Sequence, residues 1–198
     1  SLQKVGAGGV WIGDNASLEH LQDLERLERI DGPLRIEKNG ALANLDTFRR
    51  IESVGEAVVS ENTALRELRL DIGLVSGDVI ISDNPDLQTL EAFADLQSIG
   101  GNLKIERNRA LGNLKGFTAK FNTIGSTLSI DGNGALTDVY DLAVNLLSVG
   151  CSVIVTNNIS LSQCRAEDLD LFEFGGFVET IGGLIDIGDN SAEFDPCH

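Results

Sequence analysis

Two carboxylates could perform acid–base chemistry if the fold brings them together. Glu106 and Asp131 each stand two residues before an asparagine of an internal repeat, so the repeat makes their positions equivalent. On neighbouring strands they would approach the spacing of a glycosidase pair, in which two carboxyl groups flank the bond to be cleaved. Because the sequence implies no cleft beside them, we interpret both as part of a solvated face and predict no catalytic residues.

A second acidic motif resembles the start of a calcium-binding loop. The run 131–134 (Asp-Gly-Asn-Gly) offers oxygen ligands, but the glycine at the sixth position and the terminal glutamate of such loops are missing. The run also coincides with a turn of the repeat, so a structural role is favoured. His20 and His198 lie far apart in the repeat frame, and no Ser-His-Asp or Cys-His set can be placed. The sequence therefore predicts no metal site and no cofactor, and it predicts that the protein is not an enzyme.

The repeat that positions these residues dominates the sequence. One asparagine recurs at positions 15, 39, 62, 84, 108, 133, 158 and 190. Apolar residues stand five and three positions before it in every copy, and leucine or another apolar residue follows three and six positions after it in the first seven copies. Ile-Gly-Gly precedes some copies, as at 99–101 and 181–183. This regular spacing predicts one structural unit per copy.

Each copy predicts one coil of a solenoid. The alternating apolar residues form a short strand with one buried face, and the glycines before it permit a tight corner with positive φ. Stacked coils cover one another's apolar faces and place their strands about 4.8 Å apart in a parallel sheet. We therefore predict a repeat β-solenoid, a right-handed leucine-rich β-helix of about eight coils, with the buried asparagines bonded into a ladder between coils.

The C-terminal quarter departs from the regular spacing. We predict a single domain over residues 1–198, with an insert at 165–179 that acts as a cap, a binding loop being the alternative, and a tail at 191–198. Cys164 and Cys197 take nearly the same place in successive coils, which predicts a disulfide between them and an oxidising compartment. Cys151 follows the corner glycine Gly150 and is predicted to be free.

The repeat unit at 99–114 (Ile-Gly-Gly-Asn-Leu-Lys-Ile-Glu-Arg-Asn-Arg-Ala-Leu-Gly-Asn-Leu) resembles the repeat of receptor L domains. These are the leucine-rich β-helical modules, of the α/β horseshoe type, found in growth-factor receptors and in microbial and fungal surface proteins. The resemblance covers about residues 2–164 and 177–190. It implies an extracellular or cell-surface recognition module, with any export signal or anchor outside this segment. The family's cysteine-closed N-terminal end and cysteine-rich companion module are absent, so receptor signalling is not implied.

The outward face of the predicted sheet holds the candidate partner-binding residues. Counting four and two residues back from each asparagine places Val58 and Ile80 in solvent on adjacent strands, with charged residues on both sides. An apolar spot with a charged rim is typical of a binding surface, although single exposed aliphatics are also normal on strands. Trp11, the only tryptophan, shares this face; it could anchor a ligand or cover the open end of the solenoid. The candidate set is Trp11, Arg35, Glu37, Val58, Ile80, Lys104 and Glu106.

Charge and hydropathy restrict the partners. The formal net charge is −16 and the pI is about 4.3, which disfavours nucleic acid and anionic membrane surfaces. No stretch approaches a membrane-spanning length of apolar residues, so we predict no direct membrane insertion by this segment. The leading hypothesis is a non-enzymatic recognition or adhesion module that binds a protein or a glycan through its sheet face. A structural spacer of the cell envelope or cell wall is the alternative, and a polysaccharide-active β-helix enzyme ranks third.

Overall fold

The protein is a parallel-strand β-solenoid of about six turns with little helix. The computed structural model describes residues 2–91, 93, 95–118, 120–162 and 180–190. Within these residues the prediction of stacked parallel strands is confirmed. The predicted cap at 165–179, the tail at 191–198 and the predicted Cys164–Cys197 disulfide lie outside the described residues.

Strands form wherever the repeat places alternating apolar residues, and they are short because each coil turns a corner after a few residues. The strands are β1 (Lys4–Val5), β2 (Val10–Gly13), β3 (Arg29–Glu37), β4 (Ile51–Ser60), β5 (Glu67–Leu68), β6 (Ile72–Val75), β7 (Val79–Ser82), β8 (Thr89–Leu90), β9 (Ser98–Ile99), β10 (Leu103–Glu106), β11 (Thr123–Ile124), β12 (Leu128–Asp131), β13 (Ser148–Val149), β14 (Val153–Thr156), β15 (Thr180–Ile181) and β16 (Ile185–Gly188). The described helices are a 3₁₀ turn at Gln22–Leu24 and α1 at Tyr140–Ala143.

The strands pair in two parallel strips, apart from β5 and β8, which pair with each other in a separate two-stranded sheet. The first strip contains the strands that precede the repeated asparagines, paired in the order β2, β3, β4, β7, β10, β12, β14 and β16. The second strip pairs β1, β3, β4, β6, β9, β11, β13 and β15. β3 and β4 belong to both strips because each is long enough to run through the corner between them. One wall of the solenoid therefore bends into the next at this corner, where the β3–β4 pairing shifts register between Ile30 and Pro33.

Aliphatic rows and a short aromatic stack fill the interior. Leu34 and Ile36 of β3, like their counterparts in β4, β7, β10, β12 and β14, are buried, as the repeat predicts, whereas Ile185 and Ile187 of β16 are half-buried. Phe93 and Phe117 stack with ring centroids 5.0 Å apart, and Phe121 packs against Phe117 at the same distance. Such thin coils leave room for one layer of side chains, which explains why the core is mainly leucine, isoleucine and valine.

The repeated asparagines satisfy the backbone at the turn after the first strip. Asn84 is fully buried; its Nδ2 donates to the carbonyl oxygens of Val59 at 3.0 Å and Ser82 at 2.9 Å. Its Oδ1 accepts from the backbone N–H of Asn62 at 3.0 Å. Asn108 makes the equivalent contacts one coil further on. The buried asparagines thereby supply hydrogen bonds that water cannot supply inside the stack; they are Asn39, Asn62, Asn84, Asn108, Asn133 and Asn158. The predicted burial does not extend to the ends of the series, because Asn15 is exposed and Asn190 is half-buried.

The residue before each repeated asparagine adopts a left-handed backbone, a feature that the sequence did not reveal. Positive φ values of 55–68° occur at Asp14, Lys38, Glu61, Asp83, Arg107, Gly132, Asn157 and Asp189. Only one of these positions is glycine, although non-glycine residues pay a steric cost there. The asparagine contacts impose this geometry on whatever side chain precedes them.

The corner glycines serve a different purpose from the one predicted. Neither Gly100 nor Gly182 has a φ in the left-handed region, so the expected positive-φ corner is wrong for the Ile-Gly-Gly motif. A Cβ on Gly125 would instead lie 2.1 Å from the carbonyl oxygen of Gly100, and one on Gly150 would lie 2.1 Å from that of Gly125. Glycine is required because the backbones of successive coils touch at this corner.

At a left-handed position, glycine should give a more stable protein than alanine. We expect the Glu61→Gly variant to exceed the Glu61→Ala variant in unfolding free energy by about 1 kcal/mol, because only alanine carries a Cβ into φ = 56°. Both variants lose the same distant ion pair with Lys38, so their difference isolates the backbone effect. Urea denaturation of the two proteins measures it, and equal midpoints would show that the turn carries no strain.

Candidate recognition surface

The outer face is the solvent-facing side of the first strip, and Trp11 of β2 is its most exposed aromatic residue. The Trp11 side chain is on the surface, with 64 % of the residue accessible. Its indole lies across Gly13, since a Cβ on that glycine would be 2.6 Å from the ring atoms Cε2 and Nε1. The missing side chain at position 13 therefore lets the ring lie along the strand with much of its surface presented to solvent.

Arg35 lies beside Trp11 in the strand register and is held by carboxylates. Its Nη2 donates to Glu56 Oε2 at 2.6 Å, and its Nη1 lies 3.9 Å from Glu37 Oε1. Both carboxylates belong to the same outer face, so the guanidinium is held on this face, on the strand next to that of Trp11. An aromatic ring beside an oriented cation and two anions can stack on a ligand and bond to its polar groups.

Val58 is less accessible than predicted. The register aligns Arg35, Val58 and Ile80 across three strands, but Val58 is only 4 % exposed and does not belong to the interior core. A short side chain between two longer ones loses contact with water. Ile80 is half-buried. The predicted apolar spot of two solvent-exposed aliphatics is thus wrong for Val58, which supports the surface from beneath.

The remaining candidates carry polar groups along the same face. Glu106 Oε1 accepts a hydrogen bond from Ser129 Oγ at 3.0 Å, while Asp131 Oδ1 accepts one from Thr156 Oγ1 at 2.8 Å. The two carboxylates that could have formed a catalytic pair therefore each bond to a hydroxyl of the following strand. Lys104 is half-buried and forms no ion pair among the described residues.

Arg107 joins neighbouring coils at the edge of this face. Its guanidinium forms two hydrogen bonds to the carboxylate of Asp83, both at 2.8 Å, and lies 3.2 Å from Glu106. This guanidinium holds the pKa of Asp83 below its ordinary value, mainly through the hydrogen bonds. The bidentate ion pair therefore links Asp83 and Arg107, which are the left-handed residues of two neighbouring coils.

A second surface feature, which sequence reasoning missed, runs along the side of the second strip. We call it the lateral groove: three adjoining depressions of about 510, 610 and 620 Å³ that extend from Gln3 to Thr123. The first two share Arg49 and Arg50, and the last two share Gln97 and Lys120. Leu74, 46 % exposed, contributes an apolar wall.

Asp71 lies in the middle of the lateral groove. Its pKa is raised above the ordinary value, first by burial and then by the nearby charge of Asp95, although Arg49 and Arg69 act in the opposite direction. The negative charge of the Asp71 carboxylate is thus only partly compensated by the nearby arginines. Asp95 itself pairs with Lys120.

Other sequence predictions meet the structure only in part. Cys151 is a free, exposed thiol, as predicted. Within the described ranges, no group of three or more metal-ligating side chains occurs, and no helix is long and apolar enough to cross a membrane.

No family model, curated protein or solved structure matches the chain. The resemblance to receptor L domains therefore stays a prediction from the repeat.

Proposed function

We propose that the protein is a non-enzymatic recognition or adhesion module that binds a protein or glycan partner through its outer face. The observation that carries this proposal is the exposed indole of Trp11, which lies over Gly13 on the strand next to that of the ion-paired Arg35. A large aromatic side chain that is exposed on a rigid sheet lowers solubility and adds nothing to the core. Such an exposed aromatic residue is typical of a binding surface.

The proposed binding surface extends along the first strip. It consists of Trp11, Arg35, Glu37, Ile80, Lys104 and Glu106, with Val58 as a buried support. Rigid parallel strands fix the spacing of these groups, so little conformational entropy is lost when a ligand binds them. The resemblance to receptor L domains supports placing the module outside the cell or at the cell surface.

We further propose that the solenoid is right-handed, that each repeated asparagine marks one of eight coils, and that these residues act as a ladder. The side-chain bonds from Asn39 to Asn62 and from Asn84 to Asn108 support the ladder. The right-handed sense follows from the usual handedness of parallel crossovers.

A screen against glycans and candidate surface proteins tests the proposed function. The wild-type chain is compared with Trp11→Ala and Arg35→Ala, and Tyr140→Ala removes an exposed aromatic elsewhere as the matched control. We expect binding that falls at least tenfold in the first two variants and is unchanged in the control. A ligand that binds all four proteins equally would place recognition elsewhere, and failure to find any ligand would favour the alternative of a structural spacer.

A further inference from the structure

The first strip ends in an unpaired strand edge at β2. Within the described part of the chain, β2 pairs with β3 on one side and with no strand on the other. Unpaired N–H and C=O groups on a strand edge are a template for pairing with another chain. The open side of β2 is therefore a candidate interaction surface.

The backbone groups that face the open side belong to Trp11 and Gly13. In the next coil, the carbonyl oxygen of Glu37 faces back towards β2 and accepts a hydrogen bond from the Asp14 N–H at 3.1 Å. Gly13 aligns with Glu37 in the register, so its carbonyl oxygen faces away from β3 in the same manner. Because alternate residues of a strand bond to the same neighbour, Trp11 shares this orientation, whereas Ile12 bonds to β3.

No residue of β2 blocks pairing at this edge. Its sequence, Val-Trp-Ile-Gly, contains no charged residue and no proline, which are the usual means of protecting an exposed strand. At the opposite end of the first strip, β16 carries Asp186 in the position that Trp11 occupies in β2. The charge makes β16 a poorer partner for β2 than a second copy of β2.

The apolar interior of the first coil is also incompletely covered. Four of its apolar residues are half-buried, whereas the equivalent residues of the second coil are fully buried. The half-buried residues are Val10, Ile12, Leu21 and Leu24. A single added strand would cover only the two that belong to β2, while the end of another solenoid can cover all four. The exposed surface therefore favours a second copy over an isolated extended peptide.

The side chains of Trp11 and Gly13 select one register for two paired β2 strands. In an antiparallel pair, hydrogen bonds form between residues whose backbone groups face each other, so Trp11 can pair with Trp11 or with Gly13 of the second copy. Pairing with Gly13 gives two hydrogen-bonded residue pairs instead of one, and it places each indole opposite a residue without a side chain. Aromatic residues stabilise glycine at such cross-strand positions. This register has its two-fold axis at Ile12.

We propose that the protein forms a symmetric head-to-head dimer in which the β2 strands of two copies pair antiparallel about a two-fold axis at Ile12. Two-fold symmetry is the commonest form of a homo-oligomer, and it uses the same edge of both copies. The first strips become one continuous sheet, with both outer faces on one surface and the two Trp11 indoles side by side at its centre. The dimer forms through the strand edge without any ligand, so its test is independent of the proposed function.

Sedimentation velocity over micromolar to submillimolar protein concentrations tests this proposal. We expect a reversible equilibrium between monomer and dimer without larger species, because the dimer occupies both β2 edges. Gly13→Glu should weaken the dimer at least tenfold, because it places a charged side chain opposite Trp11 of the second copy. β3 and β10 carry glutamate at the equivalent position, so the fold accepts this residue. Gly188→Glu is the matched control, since Gly188 holds the same position in β16, and it should dimerise like the wild type.

A disulfide cross-link tests the register. In a Cys151→Ser background, which removes the exposed thiol, Ile12→Cys should bring two cysteine Cα atoms to about 4.5 Å across the two-fold axis, within disulfide range. Val10→Cys is the control on the same face of the same strand, where the two Cα atoms would be roughly 13 Å apart. Oxidation should therefore cross-link the first variant and leave the second uncross-linked.

A protein that stays monomeric at every concentration would overturn the proposal. So would oligomers that keep growing with concentration, because they indicate head-to-tail stacking. A dimer that Gly13→Glu leaves unchanged, or that Gly188→Glu weakens equally, would place the contact elsewhere, as would a cross-link at position 10 in preference to position 12. A monomeric protein that binds a ligand through Trp11 would overturn the dimer and support the proposed function, so the two proposals fail separately.

Discussion

Asn84→Asp should reduce the unfolding free energy by about 3–5 kcal/mol at pH 7, because it places a carboxylate where the protein requires an amide. Asn84 is 0 % exposed, and its Nδ2 donates to two carbonyl oxygens and to Asn108 Oδ1. A carboxylate keeps the size of the side chain but offers no donor, so it would face three oxygen atoms without water. The loss comes from hydrogen bonding and charge rather than from a cavity.

The effect of this substitution should depend on pH in a defined direction. Burial and the facing oxygens would raise the pKa of the introduced carboxyl group above its unfolded value, near 4. Protonation then favours the folded state, so the stability difference from wild type should shrink at pH 3 and grow as pH rises above 4. Urea denaturation of both proteins at pH 3 and pH 7 measures it.

Asn113→Asp is the matched control for this prediction. Asn113 is half-buried, and its Oδ1 accepts a hydrogen bond from the backbone N–H of Lys115 at 3.2 Å, which a carboxylate can also accept. We expect a change within about 0.5 kcal/mol. A loss at position 84 that is as small as this, or that is equal at both pH values, would contradict the role given to the asparagines.

Gly125→Ala should cost about 2–3 kcal/mol through overlap between coils. The added Cβ would lie 2.1 Å from the Gly100 carbonyl oxygen, well inside van der Waals contact, and the atom it meets is backbone. Relief requires that two coils separate, which would lengthen hydrogen bonds such as the 2.8 Å contact from Gly125 N to Ile99 O. Thermal or urea denaturation gives the size of the loss.

Gly112→Ala separates this steric effect from the general change of glycine to alanine. A Cβ at position 112 meets no atom within 4 Å, and its φ is outside the left-handed region. The Gly112→Ala variant should therefore match or slightly exceed wild-type stability. If the two variants are equally stable, the glycine column has no role in spacing the coils.

The repeat predicted the strands because burial follows the period of two before each asparagine. It could not predict the left-handed residues at Lys38 or Glu61, since nothing in their types favours positive φ and the adjacent asparagine imposes it. The sequence also could not reveal the role of Gly125. Glycine is favoured both at a corner with positive φ and at a corner where two backbones are in close contact, so the residue type does not distinguish the two. Val58 was placed on the correct face, but its burial depends on the lengths of neighbouring side chains.

The lateral groove escaped detection because counting forward from the asparagines misaligns its residues. Arg50 follows Asn39 by 11 residues, whereas Asp71 follows Asn62 by 9. Counted back from the next asparagine, Arg26, Asp71, Asp95 and Lys120 all stand 13 residues before it, and Arg50 stands 12 before it. The sequence therefore contained the alignment, while the depth of the groove depends on backbone packing that no count reveals.

Solvent accessibility of Trp11 in the bound state tests the central claim most directly. Trp11 is the only tryptophan, so acrylamide quenching of its fluorescence reports on the outer face alone. If this face is the recognition surface, a ligand from the screen should reduce quenching in a saturable manner at the concentrations that give half-maximal binding. A ligand that saturates the protein while quenching of Trp11 stays unchanged would contradict the account.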